Sequence, residues 1–221
     1  MSAWFNPAWH APVLPSAALL PLWVALSWGL VGATVLWIWA DRHRPAWWWR
    51  ALAAVLLLSL CLPATRAWTA WLALALQSPS LLGLGWLLLW AWDVMRRPGA
   101  RAPQVPVAWA FAGVLLGWGL WFDTLNLWPA ALDVPLFAWG FSAVTFWAVL
   151  AAVAWMGVHA SRAGESSRLA ALLLAVLAVF ALTRWPSGNL WDACLDPWVW
   201  LGCQGVCVRA WLARRTLRPQ R

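Results

Sequence analysis

Long apolar stretches separated by short clusters of arginine run through this sequence from end to end. Apolar residues make up 64% of the 221 residues, whereas charged residues make up only 10%. Soluble domains carry charged residues at about 25% of positions, and one core of this size cannot bury so much apolar surface. A bilayer is therefore the expected solvent for most of these side chains, and the expected fold class is all-α.

The apolar stretches predict a polytopic transmembrane helix bundle of about seven spans, forming a single integral membrane domain over 1–221 without a soluble domain. A span needs about 20 residues to cross the hydrocarbon core, so seven spans leave room only for loops and tails. The predicted spans are 16–40, 46–63, 79–95, 106–122, 134–157, 168–183 and 198–213. An alternative takes 46–76 as one long span kinked at Pro63, rather than a span followed by an interfacial helix.

The arginines predict the orientation of the bundle. Thirteen of the 15 cationic residues fall in four segments that the spans place on one side, and only Arg66 and Arg184 fall on the other. Cytoplasmic loops carry an excess of arginine, so the amino terminus is expected outside and the carboxyl terminus in the cytoplasm. The amino terminus has neither a cationic region nor a small-residue cleavage site, so no removable signal peptide is expected.

The remaining features of the composition indicate the kind of source organism and the kind of binding partner. The chain is rich in Ala, Arg, Gly, Pro and Leu and has no Lys or Tyr, which is typical of a GC-rich bacterial genome and favours the bacterial inner membrane. We interpret much of the excess of 26 Trp as an interfacial belt, because indole prefers the headgroup region. The net charge of +8 lies beside apolar spans, so membrane lipids and other membrane protein subunits are the expected partners, and nucleic acid is not.

A short motif recurs in two of the predicted outer connections. Asn-Leu-Trp-x-Ala-x-Leu-Asp begins at Asn126 and again at Asn189, with a proline within two residues of the aspartate, and a fainter third copy covers 71–79. We interpret the motif as one lone span plus three repeated helical hairpins, the alternative being chance similarity in a chain rich in Trp and Leu. The closing Asp and Pro predict a helix N-cap followed by proline in the first turn.

The polar residues of these outer connections form a candidate outer-face polar site. Its aspartates are interpreted as N-caps or as site carboxylates. Its arginines are interpreted either as partners of Asp123 or Asp192 in ion pairs, or as a clamp for phosphate or another anionic headgroup. The candidate residues are Arg66, Arg184, Asp123, Asn126, Asp133, Asn189, Asp192 and Asp196.

Cysteine and histidine spacing gives no catalytic or metal-binding pattern, and we expect neither a metal nor a cofactor. Cys203 and Cys207 share a helix face without a nearby histidine and are expected to pack as small apolar residues. Cys61 and Cys194 both fall near the predicted outer face, so the sequence is compatible either with a disulfide between them or with two free thiols. Gly113 and Gly117 form a GxxxG pattern, expected to pack helices within the chain. The histidines are isolated: His10, His43 and His159.

Two segments resemble signatures of known protein families. Trp86-Leu-Leu-Leu-Trp90-Ala-Trp92-Asp93 is similar to the Trp-Trp-Asp signature of haem-handling membrane proteins, but that signature lies outside between histidines, and here it falls at the predicted cytoplasmic end. The opening Trp4…Pro7…Pro12 resembles the tryptophan-rich sensory proteins, which have five spans and a tyrosine-containing pocket. Neither resemblance establishes a family.

Because no catalytic constellation is present and the loops are short, a non-enzymatic role is favoured. The expected function is that of an accessory or interaction subunit in envelope lipid or polysaccharide handling. One alternative is an enzyme or carrier acting on a lipid-linked anionic substrate at the outer leaflet. A second alternative is a tryptophan-rich membrane protein that binds haem or another small ligand.

Overall fold

The computed structural model describes residues 14–43, 51–52, 54–55, 68–97, 99–128, 134–162 and 168–216. Within these ranges the fold is all-α and contains no strand, which confirms the predicted fold class. The helices are α1 (Leu20–His43), α2 (Trp68–Leu76), α3 (Leu81–Arg96), α4 (Val107–Thr124), α5 (Leu136–Trp139), α6 (Ala143–Arg162), α7 (Arg168–Thr183), α8 (Leu190–Cys194) and α9 (Pro197–Thr216).

Helices lie at most of the positions that the apolar stretches predict. α1, α3, α4, α7 and α9 each begin and end within a few residues of a predicted span. Most of 46–63 lies outside the described residues, and so does 56–67, on which the alternative of one kinked helix depends. Helix α2 covers the last part of that alternative span.

Two of the described helices are long and apolar enough to cross a membrane, whereas seven spans were predicted. They are Leu20–Trp39 in α1 and Val107–Thr124 in α4, with mean hydropathies of 1.7 and 1.3. α3 and α7 have 16 residues each, about 24 Å of helix against the roughly 30 Å of a hydrocarbon core. α9 has 20 residues but includes Arg209, Arg214 and Arg215.

The predicted span 134–157 is broken near its start. α5 ends at Trp139, and α6 begins at Ala143 after a turn that contains Gly140 and Ser142. Ser142 caps α6, since its Oγ accepts the N–H groups of Val144 and Thr145 at 3.1 and 3.4 Å. Where the sequence predicted one span over 134–157, the structure therefore has two helices with a turn between them.

The buried core lies where α1, α3, α6, α7 and α8 meet. α3 is central, because it packs against α1, α7 and α8 and touches α9 at its first turn. α7 supplies Leu177 and Phe180, each 1% exposed, and α8 supplies Leu190, which is fully buried. The other buried apolar members are Trp23, Leu81, Leu84, Val153, Leu173, Val176 and Ala193.

α4 and α9 form an antiparallel pair beside this core. A Cβ added at Gly113 would lie 3.0 Å from the Sγ of Cys203, and one added at Gly117 would lie 2.3 Å from Cδ1 of Trp200. These glycines let the two backbones approach closely. The GxxxG pattern therefore packs helices within the chain, as predicted.

The outward faces of the helices carry large apolar side chains. Only 11% of Val107–Thr124 in α4 is buried, and Phe111 and Leu115 on its open face are 55% and 57% exposed. Trp147 in α6 and Leu182 in α7 are 64% and 86% exposed. A core helix of a soluble protein would bury such a face.

Candidate functional site

Asp196 joins the first turns of α3 and α9. Its Oδ1 accepts the N–H of Val199 at 2.7 Å, which makes it the N-cap of α9, with Pro197 as the first helical residue. Its Oδ2 accepts both the N–H and the hydroxyl of Ser80, at 2.8 and 2.7 Å. Ser80 in turn caps α3 by accepting the N–H of Gly83 at 2.9 Å.

One carboxylate thus satisfies groups at the positive ends of two helices, an arrangement that both helix dipoles stabilise. Ser80 is fully buried and Asp196 is 9% exposed. A Cβ at Gly83 would lie 2.8 Å from Oδ2 of Asp196, so a glycine is needed for this contact. The N-cap interpretation of Asp196 is confirmed. The fainter third copy closes with Ser78-Pro79, and the residue that caps the next helix, α3, is Ser80.

Asp123 and Asn189 bind the backbone of the same residue, Phe137 in α5. The N–H of Phe137 donates to Oδ2 of Asp123 at 2.6 Å, and its carbonyl oxygen accepts from Nδ2 of Asn189 at 2.9 Å. A helix as short as α5 leaves most of its backbone groups without intrahelical partners. Asp123 and Asn189 therefore serve to satisfy and fix α5.

The segment around α8 is held against α5 by further bonds. Oδ1 of Asn189 accepts the N–H of Trp191 at 2.9 Å and caps α8, and Nε1 of Trp191 donates to the carbonyl of Leu136 at 2.8 Å. The N–H of Leu190 donates to the carbonyl of Gly140 at 2.9 Å. A Cβ at Gly140 would lie 1.8 Å from Oδ1 of Asn189, so only glycine permits this approach.

The first copy of the motif has a different local structure. Asn126 is exposed and has a φ of 52°, directly after the end of α4. The N–H groups of Asn126 and Leu127 donate to the carbonyls of Asp123 and Phe122 at 3.0 and 2.8 Å, which is a Schellman ending. Asn126 therefore ends a helix, whereas the buried Asn189 begins one. Asp133 lies outside the described residues.

The predicted ion pairs of the outer arginines do not appear among the described residues. Arg184 follows α7 with a φ of 56°, and its Cζ lies 5.3 Å from the centre of the Phe180 ring. Asp123 binds Phe137, as described above, and Asp192 accepts a hydrogen bond from the hydroxyl of Ser187. Burial raises the pKa of the Asp192 carboxyl. Arg66 lies outside the described residues.

The salt bridge in the described part of the chain is one that the sequence did not reveal. Arg168, at the start of α7, donates from both terminal nitrogens to the two oxygens of Asp93, near the end of α3, at 2.8 and 2.9 Å. The two residues are 75 positions apart, so no local spacing links them. The one available signal was an acid at the end of a span facing an arginine-rich loop.

Three of the four cysteines lie within the described residues, and all three are free thiols. Cys194 is a free thiol at the end of α8, and burial raises its pKa to about 12. Cys61, its suggested disulfide partner, lies outside the described residues. Cys203 packs near Gly113 in the contact between α4 and α9. Within the described ranges, no group of three His, Cys, Asp or Glu side chains is placed to hold a metal ion.

Of the described members of the candidate site, Asp123 and Asn189 meet at Phe137, whereas Asn126 and Asp196 lie at other helix ends. Asp123, Asn189 and Asp196 have the polar atoms described above bonded to the chain itself, Asn126 ends a helix, and Asp192 binds a neighbouring hydroxyl. Chemically, these groups cap helices and fix α5 and α8. Comparison with known protein families, with curated proteins and with solved structures gives no match for this chain.

Proposed function

We propose that this chain is a multi-pass protein of a bacterial inner membrane that acts as a non-enzymatic accessory or interaction subunit. Its helices cross the bilayer with the amino terminus outside and the carboxyl terminus in the cytoplasm. Its setting is the handling of envelope lipid or polysaccharide, and its partners are membrane lipids and other membrane subunits.

The membrane location is supported by the exposed face of α4. Val107, Phe111, Leu115 and Trp118 follow one another along this helix at spacings of three or four residues, and all are more than a third exposed. That spacing places them on one side of the helix. Contact between such a stripe and acyl chains carries no hydrophobic free-energy cost, whereas contact with water does.

The non-enzymatic role is carried by one observation, the use of Asp123, Asn189 and Asp196 to bond the chain's own backbone. A general acid, base or nucleophile must present its reactive atom to a substrate within hydrogen-bond distance. Asp196 accepts three hydrogen bonds from Ser80 and Val199, and it lies at the junction of two helices. These groups are built for packing, which suits a subunit whose role is to hold other components.

Native mass spectrometry of the full chain, extracted in mild detergent from its own membrane, tests this proposal. The proposal predicts a complex of fixed stoichiometry with at least one other membrane subunit. A monomer with a Soret-absorbing cofactor would contradict it and favour the haem-binding alternative. A bound lipid-linked anionic glycan that is lost in Arg184→Gln would favour the enzyme or carrier alternative instead.

A further inference from the structure

Two helices of the bundle end in the same arrangement of tryptophan and arginine. In α3 the Cζ of Arg96 lies 4.5 Å from the ring centre of Trp92, and in α9 the Cζ of Arg215 lies 3.6 Å from that of Trp211. Both pairs are four residues apart, so each arginine stacks on the indole one turn before it. The two indoles are 47% and 50% exposed.

These two helix ends belong to the same end of the bundle. α3 and α9 both start at the junction of Ser80 and Asp196, as described above. α9 runs antiparallel to α4, so the end of α9 lies beside the start of α4. The loop from α3 to α4 is short, and it is folded back by a bond from Nε1 of Trp90 to the carbonyl of Ala100 at 3.1 Å. The end of α3, the start of α4 and the end of α9 therefore lie at the same end of the bundle.

Four more exposed arginines lie at this end. Two are in the loop between α3 and α4, and two are in the last turns of α9. The nearby acid Asp93 is bound to Arg168 by two bonds and does not neutralise them. We call the following set the arginine end: Arg96, Arg97, Arg101, Arg209, Arg214 and Arg215.

We propose that the arginine end binds the phosphate groups of anionic phospholipids in the leaflet that surrounds it. A guanidinium stacked on an indole is held in place, while its N–H edges stay available for two parallel bonds to phosphate oxygens. Trp92 and Trp211 place the two stacked arginines at the depth of the headgroups, because indole prefers the membrane interface.

A lipid fits this surface better than a soluble polyanion does. Met95 and Leu212 lie within a few residues of the stacked arginines and are each 49% exposed. The cationic side chains therefore stand at a border with apolar surface. A phospholipid offers a phosphate to the arginines and an acyl chain to the apolar surface, whereas a soluble anion would leave Met95 and Leu212 in water. This inference rests on the proposed membrane location and adds the class of lipid.

The test compares lipid binding by the intact chain and three variants in detergent, using native mass spectrometry with added phosphatidylglycerol or phosphatidylcholine. Wild type should retain phosphatidylglycerol in preference to phosphatidylcholine. The double variant Arg96→Gln with Arg215→Gln should lose about 30-fold in phosphatidylglycerol affinity, given the contribution of each arginine near an anionic surface. The double variant to lysine should lose less, because it keeps the charge. Arg184→Gln, at the opposite end, is the matched control and should bind as wild type does.

Equal retention of the two lipids by wild type would overturn this inference, and so would an equal loss in Arg184→Gln and the double glutamine variant. Displacement of phosphatidylglycerol by millimolar inorganic phosphate would show a free-anion site and would also contradict it. The helical circular dichroism of each variant shows whether a loss of lipid binding comes from unfolding. If the double glutamine variant is unfolded, lipid binding by the double lysine variant decides the test. If the wild-type chain leaves the membrane without detergent, the proposed membrane location itself fails.

Discussion

Replacing Asp196 by alanine removes the carboxylate that caps α9 and bonds to the cap of α3. Loss of an N-cap alone costs about 0.5–2 kcal/mol. The N–H of Ser80, on a fully buried residue, would also lose its acceptor, at about 1–3 kcal/mol. Taken together, and allowing for relaxation, we expect Asp196→Ala to lower the free energy of unfolding by about 3 kcal/mol. Asp196→Asn keeps one acceptor oxygen and should lose about half as much.

Equilibrium unfolding in mixed micelles of mild detergent and dodecyl sulfate, followed by circular dichroism, measures this loss. Asp192→Ala is the matched control, because Asp192 accepts a bond from Ser187 and is disfavoured as a carboxylate by burial. It should cost much less than Asp196→Ala. In a double-mutant cycle, Ser80→Ala and Asp196→Ala should be non-additive by about 1 kcal/mol or more. Equal losses at the two aspartates, or strict additivity with Ser80→Ala, would refute the shared cap.

Three further predictions concern α8 and the turn at Gly140 that packs against its N-cap. Gly140→Ala should lower the free energy of unfolding by about 1–3 kcal/mol, because the added Cβ would lie 1.8 Å from Oδ1 of Asn189. Gly202 has open space around it, so Gly202→Ala should leave the free energy of unfolding unchanged in the same assay. With a pKa of about 12, only about 10⁻⁴ of the Cys194 thiol should be ionised at pH 8. Alkylation by maleimide, followed by mass spectrometry, should therefore be roughly a thousandfold slower in the folded chain than after denaturation. Comparable rates in the two states would contradict the burial of Cys194. Burial raises the pKa of the Asp192 carboxyl above 3.8, so the folded state prefers its protonated form. The free energy of unfolding should therefore fall as pH rises from about 3.8 through the raised pKa of the folded state. Asp192→Asn should abolish that fall, and the same pH profile in wild type and variant would contradict the raised pKa of Asp192.

Local sequence signals predicted much of the fold. The apolar runs gave the positions of most helices, and the adjacent pair Asp196 and Pro197 predicted the start of α9. Gly113 and Gly117 predicted a close helix contact within the chain. These features depend on neighbours within a turn or two, so the side chains that produce them lie together in the sequence.

The features that the sequence did not reveal join distant parts of the chain. Ser80 and Asp196 are 116 positions apart, and Asn189 binds a carbonyl 52 positions away. A bond to a backbone carbonyl leaves no trace in side-chain spacing, because every residue has that group. The break in the span 134–157 did have a local signal, since Gly140 and Ser142 combine a helix-weakening residue with a good N-cap inside an apolar run.

The motif shows how a correct pattern can mislead about structure. Asn126 and Asn189 are each followed by Leu-Trp, yet one ends α4 with a positive φ and the other begins α8 while buried. What differs is the partner each asparagine meets. Asn189 faces the backbone of α5, whereas Asn126 is exposed. Tertiary contacts therefore decided the role of each copy.

The central claim, that α4 crosses a membrane with the arginine end in the cytoplasm, is tested most directly by cysteine labelling at its two ends. Leu127→Cys and Gln104→Cys place a thiol at exposed positions after and before α4, each in a chain without its native cysteines. In intact cells, a membrane-impermeant maleimide should label Leu127→Cys at once and Gln104→Cys only after the membrane is permeabilised. Equal labelling of both positions before permeabilisation, or labelling of Gln104→Cys alone, would contradict the account.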